Sequence, residues 1–330
     1  MAIAVSTPSE IQVNPHVASA ARAGLTSIPK RLPPWLFYDA AGSQLFDEIT
    51  ALPEYYLTRT ERSILERNAE EILECASEAV SGGKRLRISE LGAGSADKTR
   101  ILLTSAVARQ GWVQYEPVDV SLTALLVAQA RIEREIPGVR VAPLVGDYTN
   151  GFVLDPVDAG ERRLVLYIGS SIGNFEPDEA ARLLRKIHGQ LAPGDGLLLG
   201  IDLVKDEGIL LAAYDDGEGT TAAFNKNILV RLNRELAADF DSDAFEHRAV
   251  WNPFKSRMEM HLVSRRQQSV CLAALDLVIA FDAGESIHTE NSYKYELSEV
   301  KALLADAGFA PSGCWMDPQQ WFAVCLGRVA

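Results

Sequence analysis

Between Arg85 and Val204 the sequence alternates between short, strongly apolar segments and longer segments with helical periodicity. Short apolar runs of this kind are typical of strands that are buried on both faces of a parallel sheet. Their alternation with helices predicts a doubly wound, Rossmann-like α/β sheet with helices on both faces. The predicted strands are RLRISEL (85–91), VQYEPVDV (113–120), VRVAPLV (139–145), RRLVLYIG (162–169) and LLLGIDLV (197–204), and the helices are KTRILLTSAVAR (98–109), LTALLVAQARIERE (122–135) and DEAARLLRKIHGQL (178–191).

The residues before this alternation have a different character. Residues 1 to about 30 are polar and alanine-rich, and we expect them to pack loosely. The next segment, 33–60, is dense in aromatic residues. Helical spacing of apolar residues predicts one helix at Ala40–Thr50 and a second at Arg59–Ala79.

After Lys205 the alternation stops, and a largely helical stretch is followed by strands, before the final residues return to helix, strand, loop and strand. The predicted organisation is therefore an α/β domain with a second, inserted lobe. Residues 71–204 and 289–330 form the α/β domain, 205–288 form the inserted lobe, and 1–70 are an N-terminal segment that joins this lobe.

Composition excludes several classes of protein. The 330 residues carry a net charge of −13, which argues against nucleic-acid binding and against docking on anionic membranes. No apolar run approaches the roughly 18–20 residues that span a bilayer, and the first residues do not resemble a secretory signal. We therefore expect a cytoplasmic protein. The four cysteines are scattered, which predicts neither a disulfide framework nor a zinc site; they are Cys75, Cys271, Cys314 and Cys325.

The first predicted strand runs into the turn Gly92-Ala93-Gly94-Ser95, where glycines allow a sharp bend and the close approach of a ligand. A dinucleotide site would have a third glycine at the start of the helix, but Ser95-Ala96-Asp97 follows here. Glu90 precedes the turn, and a negative charge there disfavours a diphosphate and suits a cationic ligand. This pattern favours S-adenosylmethionine over a nicotinamide dinucleotide.

The next two strands also end in residues suited to an adenosine. Asp119 ends the second strand, where a carboxylate can bind both hydroxyls of a ribose. Asp147 and Tyr148 end the third, where they can bond the adenine amine and cover its ring. Alternatively, Asp119 serves only near the N-cap of the following helix, and Asp147 serves only to form a turn. Three consecutive strand ends with suitable chemistry favour the ligand-binding interpretation.

Two further segments suggest a substrate site. The fourth strand ends in GSSIGNF (169–175), where glycines permit close approach and Asn174 offers an amide. Glu290 and Ser292 lie two residues apart in a strand-like segment, so they face the same side. Such a pair can hold the two nitrogens of an imidazole through one charged and one neutral hydrogen bond. Alternatively, Glu290 is a solvated residue that pairs with Lys294.

Long, ordered motifs resemble those of the histidine-specific N-alpha-methyltransferases of ergothioneine biosynthesis. They are PPWLFYDAAGSQLFDEIT with LPEYYLTRTE, ELGAGSADKTRILL, GDY, LGIDLVKD, the segment from YDD to ADFD, and HTENSYKY. The resemblance spans almost the whole chain. It implies a class I methyltransferase fold with an inserted substrate lobe, S-adenosylmethionine as methyl donor, no metal, and three transfers to the α-amino group of L-histidine that give Nα,Nα,Nα-trimethylhistidine (hercynine).

The resemblance also implies roles for individual residues. Tyr38 is the expected catalytic residue, which orients the amine or relays its proton, and it contacts the cofactor as well. The other expected cofactor residues are Gly92, Lys98, Asp119, Asp147 and Tyr148. The expected substrate residues are Gly169 near the amine, Tyr55, Asn174 and Tyr214 at the carboxylate, Glu290 and Ser292 at the imidazole, and Met260 lining its pocket.

Three alternatives remain open at this stage. The nearest is a methyltransferase of the same fold that acts on another free amino acid, such as tryptophan, although an indole has no basic nitrogen for Glu290. A nicotinamide dehydrogenase and a non-catalytic adaptor with this fold are the others. Both lobes are built from one chain, which favours a monomer, and the partner expected is a small molecule.

Overall fold

The computed structural model describes residues 13–77, 84–94, 96–149 and 152–330. The chain forms two compact units: the first comprises Met1–Tyr55 and Asp206–Asn291, and the second comprises Tyr56–Lys205 and Ser292–Ala330. In the described residues, no helix is both long enough and apolar enough to cross a lipid bilayer.

The helices and strands of the described residues follow the predicted alternation. The helices are α1 (Pro15–Leu25), α2 (Ala40–Ala51), α3 (Tyr56–Ser77), α4 (Thr99–Gln110), α5 (Leu122–Glu135), α6 (Pro177–His188), α7 (Glu207–Tyr214), α8 (Thr220–Leu236) and α9 (Leu297–Asp306). The strands are β1 (Lys30–Arg31), β2 (Arg85–Leu91), β3 (Val113–Asp119), β4 (Val139–Val141), β5 (Leu144–Val145), β6 (Glu161–Tyr167), β7 (Gly196–Asp202), β8 (Phe245–Asn252), β9 (Arg257–Ser264), β10 (Gln268–Leu272), β11 (Leu277–Phe281), β12 (Ser286–Tyr293), β13 (Phe309–Met316) and β14 (Phe322–Val329).

The second unit contains the predicted doubly wound sheet. Its strand order is β13-β14-β7-β6-β2-β3-β4, with β5 paired to β3. The strands from β4 to β7 are parallel, and β14 and β13 are added antiparallel. The chain passes from β2 outwards to β4 and then returns to β6 on the other side of β2. This reversal creates a crevice at the carboxyl ends of β2 and β6, where ligands of such sheets bind.

Helices cover both faces of this sheet, which explains why its central strands are buried over almost their whole length. One core contains Leu65 of α3, Leu103 of α4 and Ile132 of α5. The opposite core contains Leu184 of α6 and Leu304 of α9. The fold class predicted from the sequence is therefore confirmed.

The first unit has a mixed architecture. Its four-stranded sheet has the order β1-β12-β9-β8, and β10 and β11 form a separate hairpin. Helices α7 and α8 pack against β8 and β9, and α8 also packs against α1 and α2. Strand β12 begins in the first unit and ends in the second, because the boundary after Asn291 falls within it.

Three details differ from the sequence predictions. The strand predicted at 139–145 is interrupted, because Pro143 has no N–H for the sheet ladder and separates β4 from β5. Residues 15–25, expected to pack loosely, form α1 with Val17 and Leu25 buried, while residues 1–12 lie outside the described ranges. The division predicted after residue 70 falls inside α3, which begins at Tyr56.

One cysteine expectation was wrong. Cys314 and Cys325 lie directly opposite each other on the antiparallel strands β13 and β14, and a disulfide joins them. Their sequence separation of 11 residues matches no framework motif. The pairing depends on strand register, which spacing alone did not reveal.

Candidate active site

The glycine turn after β2 leaves open space at the crevice. Gly92 and Gly94 adopt φ angles of 69° and 49°, which L side chains rarely adopt. A Cβ added to Gly92 would lie 3.4 Å from Cε1 of Tyr148, and one on Gly94 would meet nothing within 4 Å. A ligand can therefore approach this backbone closely. Ser95, which completes the predicted motif, lies outside the described residues.

Asp119 connects this turn to the end of β3. Its Oδ2 accepts a hydrogen bond from the Gly94 N–H at 3.3 Å, and its Oδ1 accepts one from the Ser121 N–H at 2.9 Å. Asp119 therefore stabilises the start of the connection to α5 and also places a half-buried carboxylate beside the open glycine turn. The structural and ligand-binding interpretations of this residue are compatible.

Asp147 and Tyr148 lie at the third strand end, beside the same turn. Asp147 is exposed, and its Oδ1 accepts a 2.8 Å hydrogen bond from the Thr149 N–H. The ring of Tyr148 packs edge-on against Tyr167 at 5.6 Å, and burial raises the pKa of Tyr148. Asp147 also lines a pocket together with Pro143, Leu144, Val145, Gly146, Phe152 and Val153. A carboxylate at such a pocket can accept a hydrogen bond from the exocyclic amine of a purine.

The sequence analysis did not identify Glu61, which the structure places at the centre of the crevice. This residue of α3 is 0% exposed. Its carboxylate forms an ion pair with Lys98 and accepts the Gly169 N–H at 2.9 and 3.0 Å. Lys98 and Gly169 were both predicted site residues, and this buried carboxylate brings them together.

Gly200 of β7 makes room for Glu61. A Cβ at this position would lie 2.0 Å from Oε1 of Glu61 and 3.1 Å from the Cα of Ile168. The sequence also contains a feature from which Glu61 could have been identified. It lies on the buried stripe of α3, four residues after Leu57 and four before Leu65, and a carboxylate on such a stripe needs a specific partner.

The loop after β6 contains two more predicted residues. Gly169 has a φ of 83°, and Ser170, with a φ of 60°, accepts the Asp202 N–H through its Oγ at 3.0 Å. A short 3₁₀ helix, Ser171–Asn174, follows and leaves Asn174 half-buried. Gly173 lies so close to β12 that an added Cβ would be 2.8 Å from the Tyr293 carbonyl oxygen. The loop is therefore fixed beside the end of β12.

Ser292, near the end of β12, contacts a buried group of charges. Lys294 donates to Ser292 Oγ at 2.9 Å and forms an ion pair with Asp202 at 2.7 Å. Lys205 pairs with the other oxygen of Asp202 at 2.5 Å, and the Tyr56 hydroxyl donates to the same carboxylate at 2.7 Å. Asp202 is 0% exposed. Burial lowers the pKa of Lys205 to about 8; the nearby Asp202 opposes this and the nearby Lys294 adds to it.

In the first unit, five predicted residues line a single pocket: Tyr38, Tyr55, Tyr214, Met260 and Glu290. Aromatic side chains form much of the remaining wall. Tyr38 packs edge-on against Phe46 and against Phe224, in both cases at 5.7 Å, and Tyr38 itself is 46% exposed. The half-buried Glu290 supplies a carboxylate to this aromatic surface.

Buried hydrogen bonds fix the walls of this pocket. Thr289 Oγ1 lies 3.0 Å from the Met260 carbonyl oxygen and 2.7 Å from Asn225 Oδ1, and its single hydrogen is shared between these two acceptors. His247 contacts Asn225 at 2.8 Å through Nδ1 and the Tyr214 carbonyl oxygen at 2.9 Å through Nε2. Each member is satisfied by its neighbour, so α8, β9 and β12 are held in register around the pocket.

Glu90 does not have the role that the sequence suggested. It is buried, and its carboxyl group accepts hydrogen bonds from Thr99 Oγ1 at 2.6 Å and from the Tyr115 hydroxyl. Burial raises its pKa to about 7, although these two hydrogen bonds oppose the shift. Glu90 therefore ties β2 to β3 and α4 below the turn, and it does not present a full negative charge to a ligand.

One cluster of the first unit has metal-ligand chemistry. Ligand atoms of Glu259, His261 and His288 lie within 4.8 Å of one another. However, Arg257 and Asn252 already bind Glu259, at 2.7 and 3.0 Å, and lower its pKa to about 2 although burial acts in the opposite direction. The two imidazole rings are stacked at 4.8 Å and nearly parallel, so their in-plane lone pairs do not converge. This arrangement fits a hydrogen-bonded cluster better than a metal site.

The predicted residues thus form two groups, one in each unit. The first unit gathers Tyr38, Tyr55, Tyr214, Met260 and Glu290 in the aromatic pocket. The second contains the predicted residues of the crevice and the end of β12: Gly92, Lys98, Asp119, Asp147, Tyr148, Gly169, Asn174 and Ser292. The second group includes three residues that were expected at the substrate, namely Gly169, Asn174 and Ser292.

The chain is similar to several known proteins. A family model described as histidine-specific, S-adenosylmethionine-dependent methyltransferase matches residues 17–329. Histidine N-alpha-methyltransferase of Mycolicibacterium smegmatis is 48% identical over 305 residues, which cover 92% of each chain. Histidine N-alpha-methyltransferase of Mycobacterium tuberculosis is 44% identical over 304 residues, again 92% of each chain. Among solved structures, an S-adenosylmethionine-dependent methyltransferase from Clostridium acetobutylicum is 12% identical with a TM-score of 0.49, covering 87% of this chain and 98% of that one.

Proposed function

Because the chain belongs to the family of histidine-specific, S-adenosylmethionine-dependent methyltransferases, we propose that it transfers three methyl groups to the α-amino group of free L-histidine. The product is hercynine, and the reaction is the first step of ergothioneine biosynthesis. The observation that carries the choice of substrate is the half-buried Glu290 carboxylate in a pocket that is otherwise aromatic and apolar. Such a carboxylate suits a flat ring that has an N–H and is basic, and an imidazole is basic whereas an indole is not.

The residues of the crevice fit the methyl donor. The open backbone at Gly92 and Gly94 leaves room for its methionine portion, and Asp119 is the proposed partner of the ribose hydroxyls. Asp147 and Tyr148 are proposed to hold the adenine, and Lys98, fixed by Glu61, lies at the same crevice. When bound, S-adenosylmethionine supplies an electrophilic methyl group on a sulfonium.

The substrate is proposed to be anchored at both ends. Tyr55, Asn174 and Tyr214 are assigned to its carboxylate, Glu290 and Ser292 to its imidazole, and Gly169 to the neighbourhood of its amine. Met260 lines the imidazole pocket. Anchors at both ends allow the amine to turn between transfers while the rest of the molecule stays bound. In-line displacement needs the amine nitrogen roughly 3–3.5 Å from the methyl carbon, so such anchoring contributes directly to rate.

The amine must lose a proton before each attack, because an α-ammonium has no lone pair. The positive sulfonium disfavours the ammonium form, since like charges repel. Tyr38 is the proposed residue that orients the amine or passes its proton to water. The exposure of its side chain is compatible with a water-mediated path.

The substrate assignment is tested by incubating the protein with S-adenosylmethionine and each free amino acid, and reading the products by mass. We expect histidine to gain three methyl groups in sequence. Tryptophan trimethylated with histidine unchanged would support the alternative substrate and refute the proposal. Methylation that stops at one or two groups would refute the trimethylation step alone.

The remaining proposals concern the location of the protein, its oligomeric state and its partners. We propose that the protein works in the cytoplasm as a monomer whose partner is a small molecule, without nucleic acid, membrane or metal. The net charge of −13 supports the first two exclusions. Sedimentation of the purified protein tests the monomer.

A further inference from the structure

A lysine ammonium lies beside the loop that follows β6. A Cβ added to Gly169 would lie 3.4 Å from Nζ of Lys98, and Gly169 is the residue assigned to the neighbourhood of the substrate amine. The side chain of Lys98 is 18% exposed, so the protein does not shield its charge completely. An unopposed ammonium at this position would repel S-adenosylmethionine, because the reacting group of this donor is a positively charged sulfonium.

Glu61 supplies the opposing charge. Its carboxylate is 0% exposed and forms an ion pair with Lys98. The same carboxylate accepts the Gly169 N–H at 2.9 and 3.0 Å, so it is fixed relative to the loop as well as to the lysine. The pair has no net charge. Both members belong to the second compact unit, as do Gly169 and the glycine turn.

Glu90 is a further ionisable group that interacts with this pair. Burial raises its pKa to about 7, and the hydrogen bonds from Thr99 and Tyr115 oppose the shift. The positive charge of Lys98 also opposes it, whereas the negative charge of Glu61 adds to it. At pH 6 Glu90 is therefore mainly protonated. The balance of charge at this part of the crevice then depends on the ion pair.

We propose that Glu61 is a positioning residue that cancels the charge of Lys98, so that the crevice accepts the cationic methyl donor without a penalty relative to its neutral demethylated product. This inference rests on the proposed function, which places the donor in the crevice and the substrate amine near Gly169. S-adenosylmethionine and S-adenosylhomocysteine differ by one methyl group and by the positive charge on sulfur. Loss of the charge of Glu61 should therefore weaken the donor more than the product, whereas a disturbed shape would weaken both.

Calorimetric titration of both ligands tests this charge balance. We compare their dissociation constants at pH 6 for the parent protein, Glu61→Gln, Lys98→Met, the double variant and Glu61→Asp. Glu61→Gln removes the negative charge and keeps the size of the side chain. The measured quantity is the ratio of the two dissociation constants, in which a loss of folded protein that affects both ligands cancels.

The expected shifts depend on charge. Glu61→Gln should change the ratio about 5- to 20-fold against S-adenosylmethionine, because Lys98 is left unopposed. Lys98→Met should not shift the ratio in this direction, and the double variant should return to within about two-fold of the parent value. Glu61→Asp should keep the parental ratio even if both ligands bind more weakly. Equal weakening of both ligands in Glu61→Gln, or a shift that persists in the double variant, would overturn the inference.

Glu116→Gln is the matched control. Glu116 is also a buried carboxylate of this unit, and it pairs with Arg87 and Arg163 at 3.1 and 2.9 Å. It lies three residues before Asp119, the end of β3, and therefore roughly 10 Å from the carboxyl end of that strand. We expect this variant to keep the parental ratio. A shift as large as that of Glu61→Gln would show that the loss of any buried carboxylate has this effect, and would overturn the inference.

A second measurement uses the unmodified protein, in case Glu61→Gln does not fold. Its probe is a neutral isostere of S-adenosylmethionine in which a C–H group replaces the sulfonium sulfur. We expect the isostere to bind no more tightly than S-adenosylmethionine. An isostere that binds more than about 5-fold more tightly would mean that Lys98 is unopposed, and would overturn the inference. A protein that binds neither S-adenosylmethionine nor S-adenosylhomocysteine would overturn the proposed function as well, so the two failures are distinguishable.

Discussion

Glu290 and Glu90 show how strongly the surroundings of a carboxylate determine its use. Glu290 is half-buried and faces an aromatic pocket, where a ligand can supply its partner. Glu90 is buried and already bonded to Thr99 and Tyr115. Both carboxylates were interpreted from the sequence as lying near a ligand. Only their tertiary surroundings show that Glu290 faces a pocket and that Glu90 is bonded inside the fold.

Removal of the Glu290 carboxylate should selectively weaken the use of histidine. We expect Glu290→Ala to reduce kcat/KM for histidine by at least ~100-fold, since a charged partner of the ring N–H is lost in a partly buried site. Steady-state kinetics at saturating S-adenosylmethionine measures this effect. Glu246→Ala, which removes an exposed carboxylate of the same unit, serves as the control. A histidine KM unchanged in Glu290→Ala would contradict the imidazole assignment.

Glu90 should make the stability of the fold depend on pH. Burial raises its pKa from 4.5 to about 7, so between these values the folded protein binds more protons than the unfolded chain. The contribution of Glu90 to stability is therefore greatest below about pH 4.5, falls as pH rises, and is smallest above about pH 7. The difference is on the order of 3 kcal/mol.

The neutral variant Glu90→Gln isolates this contribution, because its amide mimics the protonated carboxyl group. We expect its unfolding midpoint to exceed that of the parent protein at pH 8 and the advantage to shrink towards pH 5. Thermal unfolding followed by circular dichroism at both pH values measures the difference. An advantage that grows towards pH 5 would mean that Glu90 is ionised and favourable in the folded state.

At the scale of elements, the close approach of α3 to β7 depends on one glycine. A Cβ at Gly200 would collide with the Glu61 carboxylate, so we expect Gly200→Ala to destabilise the fold by about 1–3 kcal/mol. It should also weaken binding of S-adenosylmethionine, because Glu61 holds Lys98 and the Gly169 N–H. Unfolding midpoints and calorimetric titration test both effects. Gly217→Ala, where an added Cβ meets nothing within 4 Å, is the control, and equal behaviour of the two variants would refute the expectation.

Elements with strong periodicity could be predicted from the sequence, and those that depend on long-range pairing could not. The predicted segments RLRISEL and LTALLVAQARIERE match β2 and α5 at both ends, because apolar spacing and Ser121 as N-cap mark them locally. Strand β8 alternates weakly and was not predicted. The interruption at Pro143 could have been predicted from the sequence, because proline has no N–H to donate to the hydrogen-bond ladder of a sheet.

The same contrast applies to the candidate site. Asp119, Asp147 and Gly169 could be proposed because the carboxyl ends of parallel strands meet at one edge of a sheet. Glu61 and Lys294 were missed as members of the site. Their importance comes from partners 37 and 92 residues away in sequence, Lys98 and Asp202, and no local pattern specifies such pairs.

For the whole molecule, the absence of a metal requirement is still a prediction. We expect dialysis against EDTA to leave the rate of histidine methylation unchanged, because methyl transfer from a sulfonium needs no Lewis acid and the carboxylate of Glu259 is already paired with Arg257. Initial rates before and after dialysis, with undialysed enzyme as the control, measure this. Loss of activity that a divalent cation restores would refute this expectation.

The position of β12 limits how this enzyme can be redesigned by recombination. The strand carries Glu290 on one side of the boundary between the compact units and Ser292 on the other. A chimera that exchanges only residues 205–288 with a homologue would import new pocket walls and keep Glu290 and Ser292, the proposed imidazole pair. Junctions placed after Lys294 would transfer the pair together with its supporting lysine, but would leave Asp202 with the host. Libraries intended to change substrate preference should therefore treat β12 and the end of β7 as one block.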